Sequence, residues 1–391
     1  MANKNDLHHQ LKAEIASGSN AAAVEADSAK PFVHLNVHSA FSLLEGALPL
    51  QKLIDLAVAD NQPALAITAR NNLFGALEFS TKAAGKGLQP IMGIKIAVDF
   101  DDADQDSGSN SRRNQFVTLP HLVLLAMNEA GYQNLMKLGS HAHVGDSLLG
   151  DDTASDPQPD IGSKTTVHMG AHVSLEVLSK YADDLICLTG GGEGPINLAL
   201  KDSKNDQAKT RLSQLNKFFA DRLYVELQRH GTRDDPREQS IENPLLALAY
   251  ENDLPIVATN QPLFGSRDDY QAHDALVCIA EGVVVGSEDR KTFTEEYYFK
   301  TAAEMNALFS DLPEATDNTL EIAQRCSFRS PMRDPILPRF AAAEGEDPEK
   351  ALKAEANVLR EQTISGLQQR MEVFEPAKGY TRKDYDDRLE Y

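Results

Sequence analysis

The sequence has no apolar run near the ~20 residues that a membrane-spanning helix needs, so no helical membrane span is expected. Met1–Lys30 mixes charged, Ser and Ala residues without an apolar stretch, which is not the pattern of a secretory signal. The expected location is the cytoplasm. Cysteine is scarce. Cys187, Cys278 and Cys326 are far apart, odd in number and free of any Cys-x-x-Cys pair. That argues against a disulfide framework and a cysteine zinc site, and for reduced, partly buried thiols. Basic side chains are in deficit, 38 against 59 acidic, for a net charge of -21. A surface this acidic repels phosphates at long range. A DNA-gripping surface must then be a local patch or lie outside this chain, and the acidity equally serves a protein partner or solubility.

What is present is the balance of a globular protein, 41% hydrophobic and 25% charged over 391 residues, enough for two domains. Residues 1–30 are small, polar and aperiodic and read as a disordered extension. From Pro31 the pattern alternates. Strand-like runs fall at Phe32–His38, Ala64–Ala69, Pro90–Phe100, His121–Met127, Leu185–Leu188, Leu223–Gln228 and Pro255–Thr259. Helical spacing falls between them, at Leu50–Ala59, Leu73–Ala84, Ala130–His141, Leu175–Tyr181, Ala208–Phe219 and Leu245–Tyr250. Strands alternating with helices predict an α/β fold with a parallel, mostly buried sheet, long enough to close into a barrel. Asp101–Asn114 and His143–Gly170 read as long loops. After Asn260 the pattern is mainly helical: Asp268–Glu281, Ala302–Phe309, Pro313–Arg325 and Pro348–Met371, with a short strand-like run at Tyr297–Lys300 and a Pro-rich joint from Pro331 to Pro338. The last residues, from near Tyr380, form a charged amphipathic stretch that stops at Tyr391 without a closing turn, which reads as truncation.

The residues that should carry chemistry begin at His34-Leu35-Asn36-Val37-His38, where period-two alternation puts His34, Asn36 and His38 on one strand face. A loop with Ser42 and Glu45 follows, and strand ends facing such loops are where α/β barrels place their sites. The segment FVHLNVHSAFSLLEGA resembles the opening motif of the polymerase-and-histidinol-phosphatase (PHP) domain of bacterial replicative DNA polymerase III alpha subunits. PALAITARNNLFGALEF and LQPIMG resemble its second and third motifs, and LICLTGG, LYVELQRHG, PIVATNQPLF and AHDALVCIAEG follow in the family's order. The resemblance covers about residues 31–390. It implies a distorted seven-stranded (βα) PHP barrel over 31–265, then an incomplete palm or linker region over 266–391.

In family members with an active site, the resemblance implies His, Asp and Glu ligands for a metal cluster that hydrolyses phosphoesters as a built-in 3'-to-5' exonuclease. This sequence departs from that pattern. The first ligand histidine is Asn36, although His38 remains, and the first-loop carboxylate is Glu45. The Asp-His pair of the second motif is Ala69 and Arg70, the third-motif glutamate is Lys95, and the Asp-x-His of the last strand is Gln261-Pro262-Leu263. Alanine and leucine ligate nothing, and two cations stand where cations would bind, each repelling a divalent ion by several kcal/mol. The expectation is a vestigial, metal-free site.

Other candidates carry blander readings beside the sharp ones. Glu226, Gln228 and His230 share a strand face and either pair with Arg70 or Lys95 or form an ordinary polar rim. His121 reads as structural, and Lys82 with Lys86 as a solvated helix face. Gly190-Gly191-Gly192 lacks the Lys-Ser/Thr of a phosphate loop and reads as a permissive turn. The Asp384-Tyr385-Asp386 spacing, with Asp387 beside it, lies in a charged helical stretch with no Gly-Ser-rich segment before it, so no catalytic residue is expected in this chain.

The resemblance implies the N-terminal part of a DNA-directed DNA polymerase whose catalytic aspartates, magnesium and DNA-binding parts lie beyond these residues. The lost metal ligands motivate a non-catalytic barrel that docks a separate proofreading exonuclease subunit, alongside the other polymerase III holoenzyme subunits. The alternatives are a metal-dependent phosphoesterase or 3'-to-5' exonuclease of the PHP superfamily, and a stand-alone interaction module.

Overall fold

The structure, a computed structural model, describes residues 30–102, 119–144, 170–231, 236–288, 290–334 and 347–390. Nearly all of the expected N-terminal extension, most of the two long loops and half of the Pro-rich joint lie outside these residues. The chain divides into two compact units, Met1–Met332 and Arg333–Tyr391.

The first unit is built on β1 (Ala64–Ile67), β2 (Gln89–Asp99), β3 (His121–Ala126), β4 (Val173–Ser174), β5 (Leu185–Leu188), β6 (Leu223–Gln228) and β7 (Ile256–Thr259). These form one curled sheet in the order β1-β2-β3-β5-β6-β7, with β4 paired to the far end of β2, and the result is a half-barrel. The sheet is mixed, which corrects the expectation of a parallel one: β3 runs antiparallel to both β2 and β5. The reason for the miss is physical. Every residue of β3 is buried, and a strand buried on both faces reads the same in either direction.

The outer face is covered by α1 (Leu50–Ala59), α2 (Ala76–Gly85), α3 (Glu129–Val144), α4 (Leu175–Lys180), α5 (Pro195–Lys201), α6 (Asn205–Phe219) and α7 (Pro236–Glu251). Their apolar stripes follow from helical spacing. On α1 the buried set is Leu50, Leu53, Ile54 and Ala57, which pack with Leu65 and Ile67 of β1 in the main core. Each such fully buried aliphatic side chain contributes about 1.5–3 kcal/mol. β4 and α5 were not anticipated, and Tyr297–Lys300 makes only an isolated bridge from Tyr298 to Phe264 rather than a strand.

The first unit continues through α8 (Tyr270–Glu281), α9 (Ala302–Leu308) and α10 (Pro313–Arg325). The concave face of the sheet carries its own cluster: Ala64 and Ala66 of β1, Ile91 of β2, Val123 and Leu125 of β3, Ile186 and Leu188 of β5, Tyr224 of β6 and Val257 of β7. Ile322 and Ala323 of α10, with Cys326, close this cluster from below. Gln89 Nε2 ties the sheet to the end of that helix by donating to the carbonyls of Ala323 and Cys326 at 2.7 and 2.9 Å.

Phe32–His38, expected as a strand, runs beside β1 without a ladder. Ala66 N donates to His34 O and Thr68 N to Val37 O, but Val33 N and Val37 N are taken by the hydroxyls of Thr319 and Thr68. The chain bends at Asn36, and the alternation breaks there: Val33 and Leu35 join the concave cluster, whereas Val37 joins the outer core.

The second unit contains α11 (Pro348–Val373) and α12 (Arg382–Glu390). The Asp347 side chain caps α11 by accepting from Glu349 N and Lys350 N. No helix among the described residues is long and apolar enough to cross a membrane.

Candidate functional site

Above the apolar cluster the concave face turns polar. The same strand parity that points Val123 inward brings His121 inward at the start of β3, and Lys95, Glu226 and Thr259 follow Ile91, Tyr224 and Val257 along their strands. Lys95 and Glu226 are fully buried. A charge taken out of water in this way needs a partner.

For the cations that partner is a quartet. Arg70 Nε and Nη2 donate to Glu45 at 2.6 and 2.5 Å, a bidentate fork, and Nη2 also meets Glu193 Oε2 at 2.8 Å. The Lys95 ammonium lies 2.6 Å from Glu193 Oε2, off the hydrogen-bonding direction. Glu45 is supplied by the loop before α1, Arg70 by the segment after β1, Lys95 by β2 and Glu193 by the glycine turn after β5. The segment after β1 is registered on β2 by an Arg70–Lys95 backbone bridge and by Asn71 N donating to Lys95 O. Burial alone would raise both carboxylates. His38 and Arg70 beside Glu45, and Lys95 and Arg70 beside Glu193, outweigh it and hold each well below the usual carboxylate range. Burial would lower the Arg70 guanidinium, yet its bonds to Glu45 and Glu193 raise it above its ordinary value.

Two histidines face this quartet. His38 is fully buried, its Nδ1 3.4 Å from Glu45 Oε2, and neither ring nitrogen has a hydrogen bond of good geometry. Burial lowers its pKa, with Lys95 and Arg70 adding to the effect against Glu45. His121 is lowered to about 3, first by burial and then by Arg70, with Lys95 adding and Glu193 opposing.

Glu226 sits in a different setting. Its Oε1 accepts from Asn36 Nδ2 at 2.8 Å, Thr259 Oγ1 at 2.5 Å and Gln228 Nε2 at 3.0 Å, and its Oε2 accepts from Gly190 N at 2.9 Å. All four donors are neutral. Asn36 Oδ1 in turn accepts from Thr68 Oγ1 at 3.4 Å. The suggested pairing of Glu226, Gln228 or His230 with Arg70 or Lys95 is therefore corrected. Glu193 holds both cations. His230 sends Nε2 to the Asn260 carbonyl and stacks on Tyr297 at 3.7 Å. Burial takes its pKa down to about 3.

The turn that joins the two settings is Gly190–Gly194. Gly190 N binds Glu226, Gly192 N donates to Gln228 Oε1 at 3.2 Å, and Glu193 takes the cations. Gly190 has φ +88, and a Cβ there would lie 1.8 Å from the His121 carbonyl oxygen. At Gly191, φ +55, it would meet Gln228 Cδ at 2.2 Å. Glycine is thus required at Gly190, where the obstacle is backbone, whereas at Gly191 a side chain would have to displace Gln228.

Of the residues singled out in the sequence, Asn36, His38, Glu45, Arg70 and Lys95 come together here. Ala69 contributes its carbonyl, which accepts from Lys95 N. Gln261 is buried with φ +50, and Leu263 packs with Phe264 and Tyr298 in a separate apolar cluster. His34 does not share a face with Asn36 and His38, since the bend at Asn36 separates them. It bonds the Lys300 carbonyl at 2.8 Å beside Phe299, and burial lowers its pKa to about 4. Glu193 was missed because it lay inside what read as a glycine turn. In the second unit, Asp384 accepts from Thr381 N and Oγ1, and Asp386 pairs with Arg382 one turn away. Both carboxylates are engaged in local helix contacts.

A half-barrel with helices on its convex side and polar residues at the strand ends fits the family description "PHP domain", which matches residues 34–230, about half of the sequence. The chain belongs to that family. It is 41% identical over 341 residues to DNA polymerase III subunit alpha of Caulobacter vibrioides, covering 87% of this chain and 27% of the relative. It is 32% identical over 365 residues to the same-named protein of Pseudomonas aeruginosa, covering 92% and 28%. The chain spans about a quarter of the length of these relatives. Among solved structures, an amidohydrolase from Chromobacterium violaceum overlays on 59% of this chain and 86% of its own at 16% identity and a TM-score of 0.35, a likeness too loose to bear on function.

Proposed function

We propose that this chain is the N-terminal part of a DNA polymerase III alpha subunit, the DNA-directed DNA polymerase of chromosomal replication, and that its PHP half-barrel is a metal-free scaffold that docks a separate proofreading exonuclease subunit in the cytoplasm. Nucleotide addition, its magnesium ions and the grip on DNA belong to other parts of such a subunit. The identity to curated alpha subunits supports the first half of this reading.

The observation that carries the second half is the Glu45–Arg70–Glu193–Lys95 quartet. The residues do not fit a divalent cluster. Glu45 and Glu193 are already bound to Arg70 and Lys95, two cations that repel a divalent ion, and the Glu226 oxygens are taken up by four neutral donors. Ala69 and Leu263 bring no donor atom from their side chains. A polymerase without a hydrolytic site of its own needs proofreading supplied in trans, and a folded barrel with a filled mouth is suited to binding rather than chemistry.

The test is metal content by plasma mass spectrometry on the exhaustively dialysed chain, alongside hydrolysis of a 3'-labelled primer. The scaffold reading expects no stoichiometric zinc, manganese or iron and no hydrolysis. Tightly held ions with hydrolysis lost in His38→Ala would instead support the metal-dependent phosphoesterase alternative. Docking is checked separately, by affinity capture of the purified exonuclease subunit on the folded chain. No capture would remove that part of the proposal.

A further inference from the structure

A cavity of about 390 Å³ lies between α3 and the end of α4. Gln133, Met136, Lys137 and His141 reach it from α3 at helical spacing, and Tyr181, which follows the last residue of α4, forms its other wall. The volume is in the range of small-ligand pockets.

Cations gather on the Tyr181 ring. The Lys137 ammonium lies 5.3 Å from the ring centroid and the Lys180 ammonium 5.6 Å, and the His141 ring is 5.4 Å away at 38°. No carboxylate lines the cavity, and neither lysine has an ion-pair partner among the described residues. Two acids close in sequence contact other groups: Asp184 accepts from Asn128 Nδ2 at 2.7 Å, and Asp183 lies 3.7 Å from Arg222. In a chain of net charge -21 this is a local basic spot on an aromatic face. Met136, 44% exposed, adds a polarizable apolar edge. A tyrosine ring with flanking ammonium groups is the chemistry that holds a base by its face and its phosphates by charge.

We propose that this cavity binds single-stranded nucleic acid, with one base against Tyr181 and the flanking phosphates on Lys137 and Lys180. The site is independent of the metal-free reading of the barrel mouth.

The sequence contains no tryptophan, so Tyr181→Trp places a single reporter in the site. Titration of that variant of the full chain with an oligo-thymidine strand at low salt is expected to quench its emission saturably at or below ~0.1 mM. The wild-type chain, followed by the anisotropy of a labelled strand, should bind in the same range. The double variant Lys137→Gln with Lys180→Gln should bind at least about tenfold more weakly and show a salt slope shallower by about 1.4, the loss of two single-strand phosphate contacts. Lys82→Gln, on another helix, should bind as wild type. Circular dichroism establishes that each variant is folded. No saturable binding by the wild type, unchanged affinity in the double variant, or equal displacement by inorganic polyphosphate at the same phosphate concentration would each overturn the proposal.

Discussion

The two levels of the concave face solve the problem of an enclosed surface in opposite ways. The lower level, Ile91, Val123, Ile186, Tyr224 and Val257 above Ile322 of α10, is closed mainly by apolar contact, with Gln89 and the Tyr224 hydroxyl hydrogen-bonded to α10 at its edge. The upper level holds Glu45, Arg70, Lys95, Glu193 and Glu226 and is closed by pairing every charge or by surrounding it with donors. Apolar packing is non-directional and tolerates small changes. A paired charge depends on its partner, because removing one member leaves the other buried and uncompensated. The upper level should therefore be the more brittle.

The largest effect is expected where one residue serves both settings of the upper level. Gly190→Ala brings a Cβ to 1.8 Å from a backbone oxygen at φ +88. It should abolish cooperative folding or cost more than ~4 kcal/mol in urea denaturation. Near-native stability would mean the glycine turn is not the hub described here. Next, Lys95→Met should cost about 3 kcal/mol, since Glu193 loses one of its two cations, and adding Glu193→Gln should restore much of that loss. Additivity of the two changes would break the quartet. The matching change below, Ile322→Ala, should cost about 2–4 kcal/mol. Its cost should be the same at neutral and mildly acidic pH, because no charge is involved.

The smallest effect per residue and per pH unit is the pH dependence. His34, held at about 4, and His121 and His230, held at about 3, all lie below their ordinary value of 6.5. Over that interval the unfolded chain binds more protons than the folded one, so stability falls as pH falls from 6.5. Each histidine contributes about 1.4 kcal/mol per pH unit. Glu45 and Glu193, depressed below 4.5, add stability that is full above that value and is lost as pH falls further. Because Lys95 is one cause of the low His121 value, Lys95→Met should raise it, a change that proton NMR titration of the ring can follow. An unchanged His121 titration would place Lys95 outside its electrostatic reach.

The sequence by itself determined most of the strands and helices and the presence of a polar group at the strand ends. Apolar periodicity located α1 at its observed ends and placed six of the seven strands, because helical and strand spacing are local properties of the chain. The resemblance brought Asn36, His38, Glu45, Arg70 and Lys95 to attention before any contact was known. Only the tertiary structure decided the direction of β3, whose burial on both faces erases the pattern that would reveal it. Only the fold decided that Phe32–His38 bends at Asn36, since hydroxyls of Thr68 and Thr319 replace ladder partners that sequence spacing cannot see. The choice of Glu193 over Glu226 as the counterion of Arg70 and Lys95 was likewise beyond the sequence. That choice rests on where a glycine turn aims one carboxylate, a matter of positive φ angles and of contacts between residues about a hundred or more positions apart.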